Sequence, residues 1–310
     1  MNKLYDLIND TKKLCYFAFT VSLILHIAAF IVFYFNGAIL MDESLTLLNG
    51  RFLADYGSDC FGEHLPIYFD NWIFGGQSPF ATYLVALMVK VFGYNLAVTR
   101  IPMLLFSELG LIAFYFFLKN LHLEEKYVNV VFLLACFSPW HIFNSVYTLD
   151  CNFMPHILMV GMAFLSKAIN TKKSVHFVFS MIFFALCFYC YIASSIIVTL
   201  ILFITYILLL RTNRISIKNA IISVVAFTVV ALPFILSGLV QLDIIDDFKL
   251  FGFSISKMPN YDRSQTLSFK HVYKKLFNGI LMTVFPDIFI FKGIGMMNSF
   301  NYTNFTGGIA

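Results

Sequence analysis

The chain has 310 residues, 60% of them hydrophobic and 12% charged, with a formal net charge of +4. Its mean hydropathy is +0.81, and no soluble domain could hide that much apolar surface, so a polytopic, all-α membrane protein is expected. The small positive charge belongs to loop Lys and Arg and excludes a nucleic-acid surface.

The first apolar stretch, over 15–35, is long enough to cross a bilayer and lacks a small-residue cleavage site, so it reads as a retained span. Lys12 and Lys13 before it predict a cytoplasmic N-terminus. Directly after it comes the pair Asp42-Glu43, at a span mouth where a membrane-held substrate meets water. The segment 36–75 carries Asp42, Glu43, Asp55, Asp59, Glu63 and Asp70 against Arg51 alone, as expected of an external loop. Within the first external loop, about 36–95, two helices are predicted. One covers 43–54, where Leu45, Leu48 and Phe52 form an apolar stripe suited to the membrane plane. The other covers 80–92, too short to span, with Ser78 as N-cap, Pro79 as first helical residue and Gly93 as stop.

Six further spans follow over 96–118, 127–145, 152–169, 175–191, 193–210 and 220–239. Lys119 with Lys126, then Lys167 with Lys172 and Lys173, then Arg211, Arg214 and Lys218 fall on alternate loops, all expected inside. That parity returns Asp150 to the same outer side as Asp42. Glu108 lies mid-span, a costly position, with His26, His156 or a cavity as its alternatives. Trp140 and Tyr147 read as interfacial anchors. Residues 1–239 form the expected transmembrane core. Residues 240–310, with Asp243, Asp246, Asp247, Asp262 and Arg263, form an external loop. Its end at Gly307-Gly308 reads as a truncation. Asn301 and Asn304 fit glycosylation patterns. Cys15, Cys136, Cys151, Cys187 and Cys190 lie in or beside apolar runs and read as small hydrophobes.

The succession of Asp42-Glu43, an amphipathic helix, Gly75-Gly76-Gln77-Ser78-Pro79, a short helix ending Lys90-Val91-Phe92-Gly93, and Thr99-Arg100-Ile101-Pro102 resembles the GT-C fold glycosyltransferases. Ser138-Pro139, Leu149-Asp150 and the stretch from Phe285-Pro286-Asp287 to Gly307-Gly308 continue the likeness. The nearest groups are the bacterial protein-mannosyltransferase-like and aminoarabinose-transferase-like enzymes. The resemblance implies a GT-C-like helix bundle in the cytoplasmic membrane. Such an enzyme moves a sugar from a polyprenyl-phosphate donor to a lipid, polysaccharide or protein acceptor on the outer face. It implies Asp42 as catalytic base, Glu43 as its acidic neighbour and Asp150 as the second-loop acid.

The chemistry agrees with these roles, because an acceptor hydroxyl attacks poorly unless a carboxylate takes its proton. Arg100, Arg51 and Gln77 are the candidate substrate-binding residues, since a lipid phosphate leaving group favours cations and hydrogen-bond donors. Leu45 stands where family members often carry Arg. Gly76-Gln77-Ser78-Pro79 stands where aminoarabinose-transferase-like members carry a Glu-Lys-Pro-Pro run with a metal-binding Glu. No metal ligand is therefore assigned and no cofactor is fixed. A divalent metal stays open, with His64, His141 and His271 as candidate ligands. The alternatives are a transporter or lipid flippase, and a non-catalytic scaffold.

Overall fold

The computed structural model describes residues 11–36, 39–70 and 76–258. Helix α1 (Thr11–Asn36) is followed by α2 (Met41–Tyr56), α3 (Pro79–Phe92), α4 (Leu96–Asn120), α5 (Glu125–Cys136), α6 (Pro139–Asn144), α7 (Asp150–Thr171), α8 (Ser174–Cys190), α9 (Ser194–Arg211) and α10 (Ile217–Gln241). Two small antiparallel ribbons complete the set: β1 (Phe69–Asp70) with β2 (Gly76–Gln77), and β3 (Phe248–Leu250) with β4 (Phe253–Ile255). The protein is an all-α, multi-pass membrane protein. Five helices, α1, α4, α7, α9 and α10, are long and apolar enough to cross a bilayer. Their outward faces carry large apolar side chains such as Ile24, Leu105, Phe203 and Val229, which only lipid would cover without penalty.

Seven crossings were expected, and the difference lies in α5, α6 and α8. The apolar run over 127–145 is not one helix: it breaks at Phe137–Ser138 between α5 and α6. Pro139 has no N–H to continue the helix and pushes Ser138 into an extended conformation. The Ser138 hydroxyl then accepts from His141 N at 3.4 Å and starts α6. Helix α8 is apolar but only 17 residues long.

The bundle nonetheless has two distinct ends. At one, the carbonyl of Asn120 accepts from Asn170 Nδ2 at 2.7 Å, Lys172 Nζ donates to the Arg214 carbonyl at 2.5 Å, and Ser174 Oγ donates to Asn219 Oδ1 at 2.6 Å. This end gathers the basic loops. At the other, the 57–70 loop meets the segment after α10: Ile67 N donates to Ser254 O and Ser254 N to Leu65 O. The β3–β4 turn has Phe251 and Gly252 both at positive φ, 52° and 89°, the two-residue hairpin form. Helices α7, α8 and α4 pack at the centre, with Met103, Phe153, Ile157, Phe177 and Phe184 fully buried. Phe80, Phe106 and Phe153 form an edge-to-face triad at 5.4–5.6 Å that docks α3 onto this core.

Both predicted short helices form, and Gly93 at φ 80° ends α3. Helix α2 is not a simple membrane-plane stripe. Leu45 is buried, Leu48 and Phe52 are half-buried, and Glu43, Leu47, Asn49, Gly50 and Leu53 share the covered arc. That arc packs on α3 at Gly50, where a Cβ would collide with Val85.

Candidate functional site

Asp42 and Asp150 meet at the non-basic end although 108 positions separate them. Asp42 stands in the first turn of α2, where a carboxylate is favoured by the helix N-terminus, and its side chain is exposed. Asp150 opens α7 and is half-buried. Its Oδ1 accepts from Cys151 N at 2.7 Å and its Oδ2 from Ser78 N at 3.2 Å. The two carboxylates are close enough for their charges to act on each other and on the Cys151 thiol between the same elements.

Gln77 and Ser78 join the two acids. Gln77 Nε2 donates to Thr46 Oγ1 at 2.5 Å and to the Asp42 carbonyl at 3.3 Å. The Asp42 carbonyl can only accept, so the amide orientation is set. The opposite atom, Gln77 Oε1, is buried without a partner among the described residues. Gly76 and Gln77 pair with Phe69 and Asp70 in the β1–β2 ribbon, which fixes this stretch at the mouth of α3.

Glu43 has a different environment from its neighbour Asp42. It is fully buried, and both of its oxygens face Arg100, which is 1% exposed: Nε to Oε1 at 2.8 Å and Nη2 to Oε2 at 2.7 Å. Oε1 also accepts from Thr148 N at 3.1 Å, and Thr148 Oγ1 donates to the Thr99 carbonyl at 3.0 Å. Arg100 Nη1 donates to the Phe33 carbonyl at 3.3 Å, and its guanidinium lies 5.1 Å from the Tyr147 ring centroid. One bidentate pair thus ties α1, α2, α4 and the loop before α7 together. Tyr147, expected as an interfacial anchor, is instead buried against this pair, while Trp140 is exposed. Arg51 is apart from the site, exposed beside Asp55 at 3.7 Å and over the Tyr94 ring at 4.9 Å.

A second polar group lies inside the bundle. His26 of α1, His141 of α6 and His156 of α7 form a chain of edge-on rings with centroids 4.9 and 5.2 Å apart. Glu108 Oε1 is 3.2 Å from His26 Nδ1, but that N–H points at the Ser22 carbonyl 2.8 Å away, and among the described residues neither Glu108 oxygen has an aligned donor. Of the two histidines expected near Glu108, His26 is the one beside it, without a hydrogen bond between them. His156 packs on Gly110, where a Cβ would strike its ring. Sequence reading named Glu108 and its two neighbours but missed His141 as a member. A mid-span acid flanked by histidines on three other elements was the available signal. Among the described residues no group of three or more His, Cys, Asp or Glu is arranged to hold a metal ion. His64 sits in the 57–65 loop, apart from these groups, and His271, Asp262, Asn301, Asn304 and the stretch from Phe285 lie outside the described residues.

No protein-family model matches the chain, and no curated protein matches it significantly.

Proposed function

We propose that the protein is a GT-C-like glycosyltransferase that moves a sugar from a polyprenyl-phosphate donor to an acceptor on the outer face of the cytoplasmic membrane. The observation that carries this reading is the meeting of exposed Asp42 with Asp150 at the non-basic end of a membrane bundle. An acceptor hydroxyl attacks the anomeric carbon of the donor. The bond from that carbon to the phosphate oxygen breaks with its electron pair on the phosphate, and Asp42 takes the hydroxyl proton. Asp150, held by the Ser78 and Cys151 N–H groups, orients the acceptor or the sugar. Gln77 Oε1 is an acceptor for a sugar hydroxyl. Glu43 and Arg100 act as positioning residues, because each already satisfies the other.

The test is to incubate membranes containing the protein with radiolabelled polyprenyl-phosphate sugars. Wild type is expected to transfer one label, Asp42→Asn at least about a hundredfold more slowly, the scale of a lost general base. Full-rate transfer by Asp42→Asn would remove Asp42 from the mechanism. Absence of transfer from every donor by wild type would remove the function.

A second reading, a transporter or lipid flippase, draws on the His26, Glu108, His141 and His156 group deep in the bundle. Intramembrane ionisable groups commonly mark a transport path. Loss of substrate flux in Glu108→Gln, with sugar transfer untouched, would favour it.

A further inference from the structure

The basic end of the bundle carries a feature that sugar transfer does not use. Between Asp150 and Asp243 the chain contains no Asp or Glu, but it contains Lys167, Lys172, Lys173, Arg211, Arg214 and Lys218. Arg211, Arg214 and Lys218 are exposed in and beside the turn from α9 to α10, and among the described residues no carboxylate pairs with them. Directly beside these cations, α9 and α10 diverge. Helix α10 packs along α8 and barely touches α9.

The divergence leaves an open groove of about 310 Å³ lined by Leu210, Ile217, Ala220, Ile221, Val224 and Val225. The five α10 residues recur at i, i+3, i+4, i+7 and i+8, so they form one stripe. At 1.5 Å per residue it runs about 12 Å from the basic loop into the hydrocarbon layer. No polar surface lines it.

We propose that this groove binds an anionic phospholipid of the leaflet on the basic side. Its acyl chain lies along the α10 stripe and its phosphate sits among Arg211, Arg214 and Lys218. A zwitterionic lipid would fill the groove equally but would leave the three cations without net opposing charge. A free phosphate would meet the cations but not the apolar wall. Basic pockets at helix ends on the inner side of a membrane are suited to this headgroup chemistry. The inference rests on the helices crossing a membrane and is independent of sugar transfer.

The test reconstitutes the full chain in phosphatidylcholine bilayers containing a minor fraction of spin-labelled phosphatidylglycerol or phosphatidylcholine, and reads the immobilised lipid fraction. Wild type is expected to immobilise phosphatidylglycerol in preference. Arg211→Gln/Arg214→Gln/Lys218→Gln is expected to lower that preference by roughly a hundredfold, the scale of three membrane-surface cations. Val224→Phe/Val225→Phe adds bulk at two exposed positions, so it fills the groove without entering the core, and it is expected to abolish the immobilised fraction at unchanged charge. Immobilisation that survives Val224→Phe/Val225→Phe would show a diffuse charge effect and overturn the site. Displacement of phosphatidylglycerol by an equal fraction of polyprenyl phosphate would overturn the ligand assignment. Equal immobilisation of phosphatidylcholine would overturn both.

Discussion

Asp42 and Glu43 are adjacent in the chain, yet one faces water and the other is sealed against Arg100. Their substitutions should therefore separate stability from activity. Arg100→Leu leaves the Glu43 carboxylate in the interior without its counter-charge, although the Thr148 N–H bond to it is kept, which is expected to cost about 3–5 kcal/mol. Asp42→Asn, at an exposed position, is expected to stay within about 0.5 kcal/mol of wild type. Thermal unfolding of the two variants in one detergent checks this, and equal destabilisation would contradict the assignment. The sequence shows both acids in one acidic segment after the first span but carries no sign that one of them is buried. Position in an acidic loop reports local charge, whereas the partner that buries Glu43 comes from 57 residues away. Gln77 was legible as a polar residue at the mouth of a short helix, but its orphan carbonyl depends on Thr46 and Asp42 meeting it. A third acid in the same loop, Asp59, is pushed above the usual carboxylate range by burial, against the two N–H bonds from Phe61 and Glu63. A raised folded value means the folded loop holds its proton more tightly than the unfolded chain. The loop is then most stable below the unfolded value of about 4 and loses stability as pH rises through the folded value. Asp59→Asn keeps an acceptor for both N–H groups and should remove the pH dependence. Hydrogen exchange over 57–65, corrected for intrinsic pH effects, reads both outcomes.

At the scale of elements, the two sites rest on helix starts that small residues and prolines define. Helix α3 starts at Pro79 and ends at Gly93 as its sequence signals indicate, so the Gln77-Ser78 bridge has a fixed base. The close packing of α2 on α3 depends on Gly50, where Val85 and the Thr82 carbonyl leave no room for a side chain. Gly50→Val is expected to destabilise by about 1–3 kcal/mol through overpacking. It should also lower any transferase rate, because Asp42 is carried on α2 and Gln77 on the chain leading into α3. Restored stability with unrestored activity in a Gly50→Val/Val85→Ala pair would locate the effect in Asp42 placement, while recovery of both would make it packing alone. The break between α5 and α6 shows the limit of pattern reading. Apolar residues continue through 127–145, so hydropathy reports one span, and only the local chemistry of Ser138-Pro139 reports the interruption. Once α6 turns away, His141 faces His26 and His156 instead of lipid. The buried polar group is thus a consequence of that proline, which is why summed hydrophobicity could not reveal it.

At the scale of the molecule, the open matter is how a bundle with five long apolar helices can still place its ends alternately. The contacts across each end argue that α5 with α6, and α8, carry the chain across despite their lengths. Asn120, the last residue of α4, meets α7 at Ser166 and Asn170, while Thr99, at the start of α4, meets Thr148 just before α7. Residues 121–149 must therefore travel from the basic end to the other. The same reasoning applies to α8, because Ser174 meets Asn219 near the start of α10 while Ser194, after α8, bonds back to the Cys187 carbonyl. In sealed vesicles, a membrane-impermeant thiol reagent can decide this with single cysteines in a background where Cys60 and Cys151, the two half-buried thiols, are Ser. His122→Cys and Asn213→Cys are expected to label from one side. Phe251→Cys, at the exposed hairpin tip, and restored Cys60 are expected to label from the other. If restored Cys151, at the start of α7, labels with His122→Cys, the α5–α6 pair does not cross. Asp42 and Asp150 would then meet only by a fold that threads the membrane differently, and the outer-face reaction would lose its geometric basis.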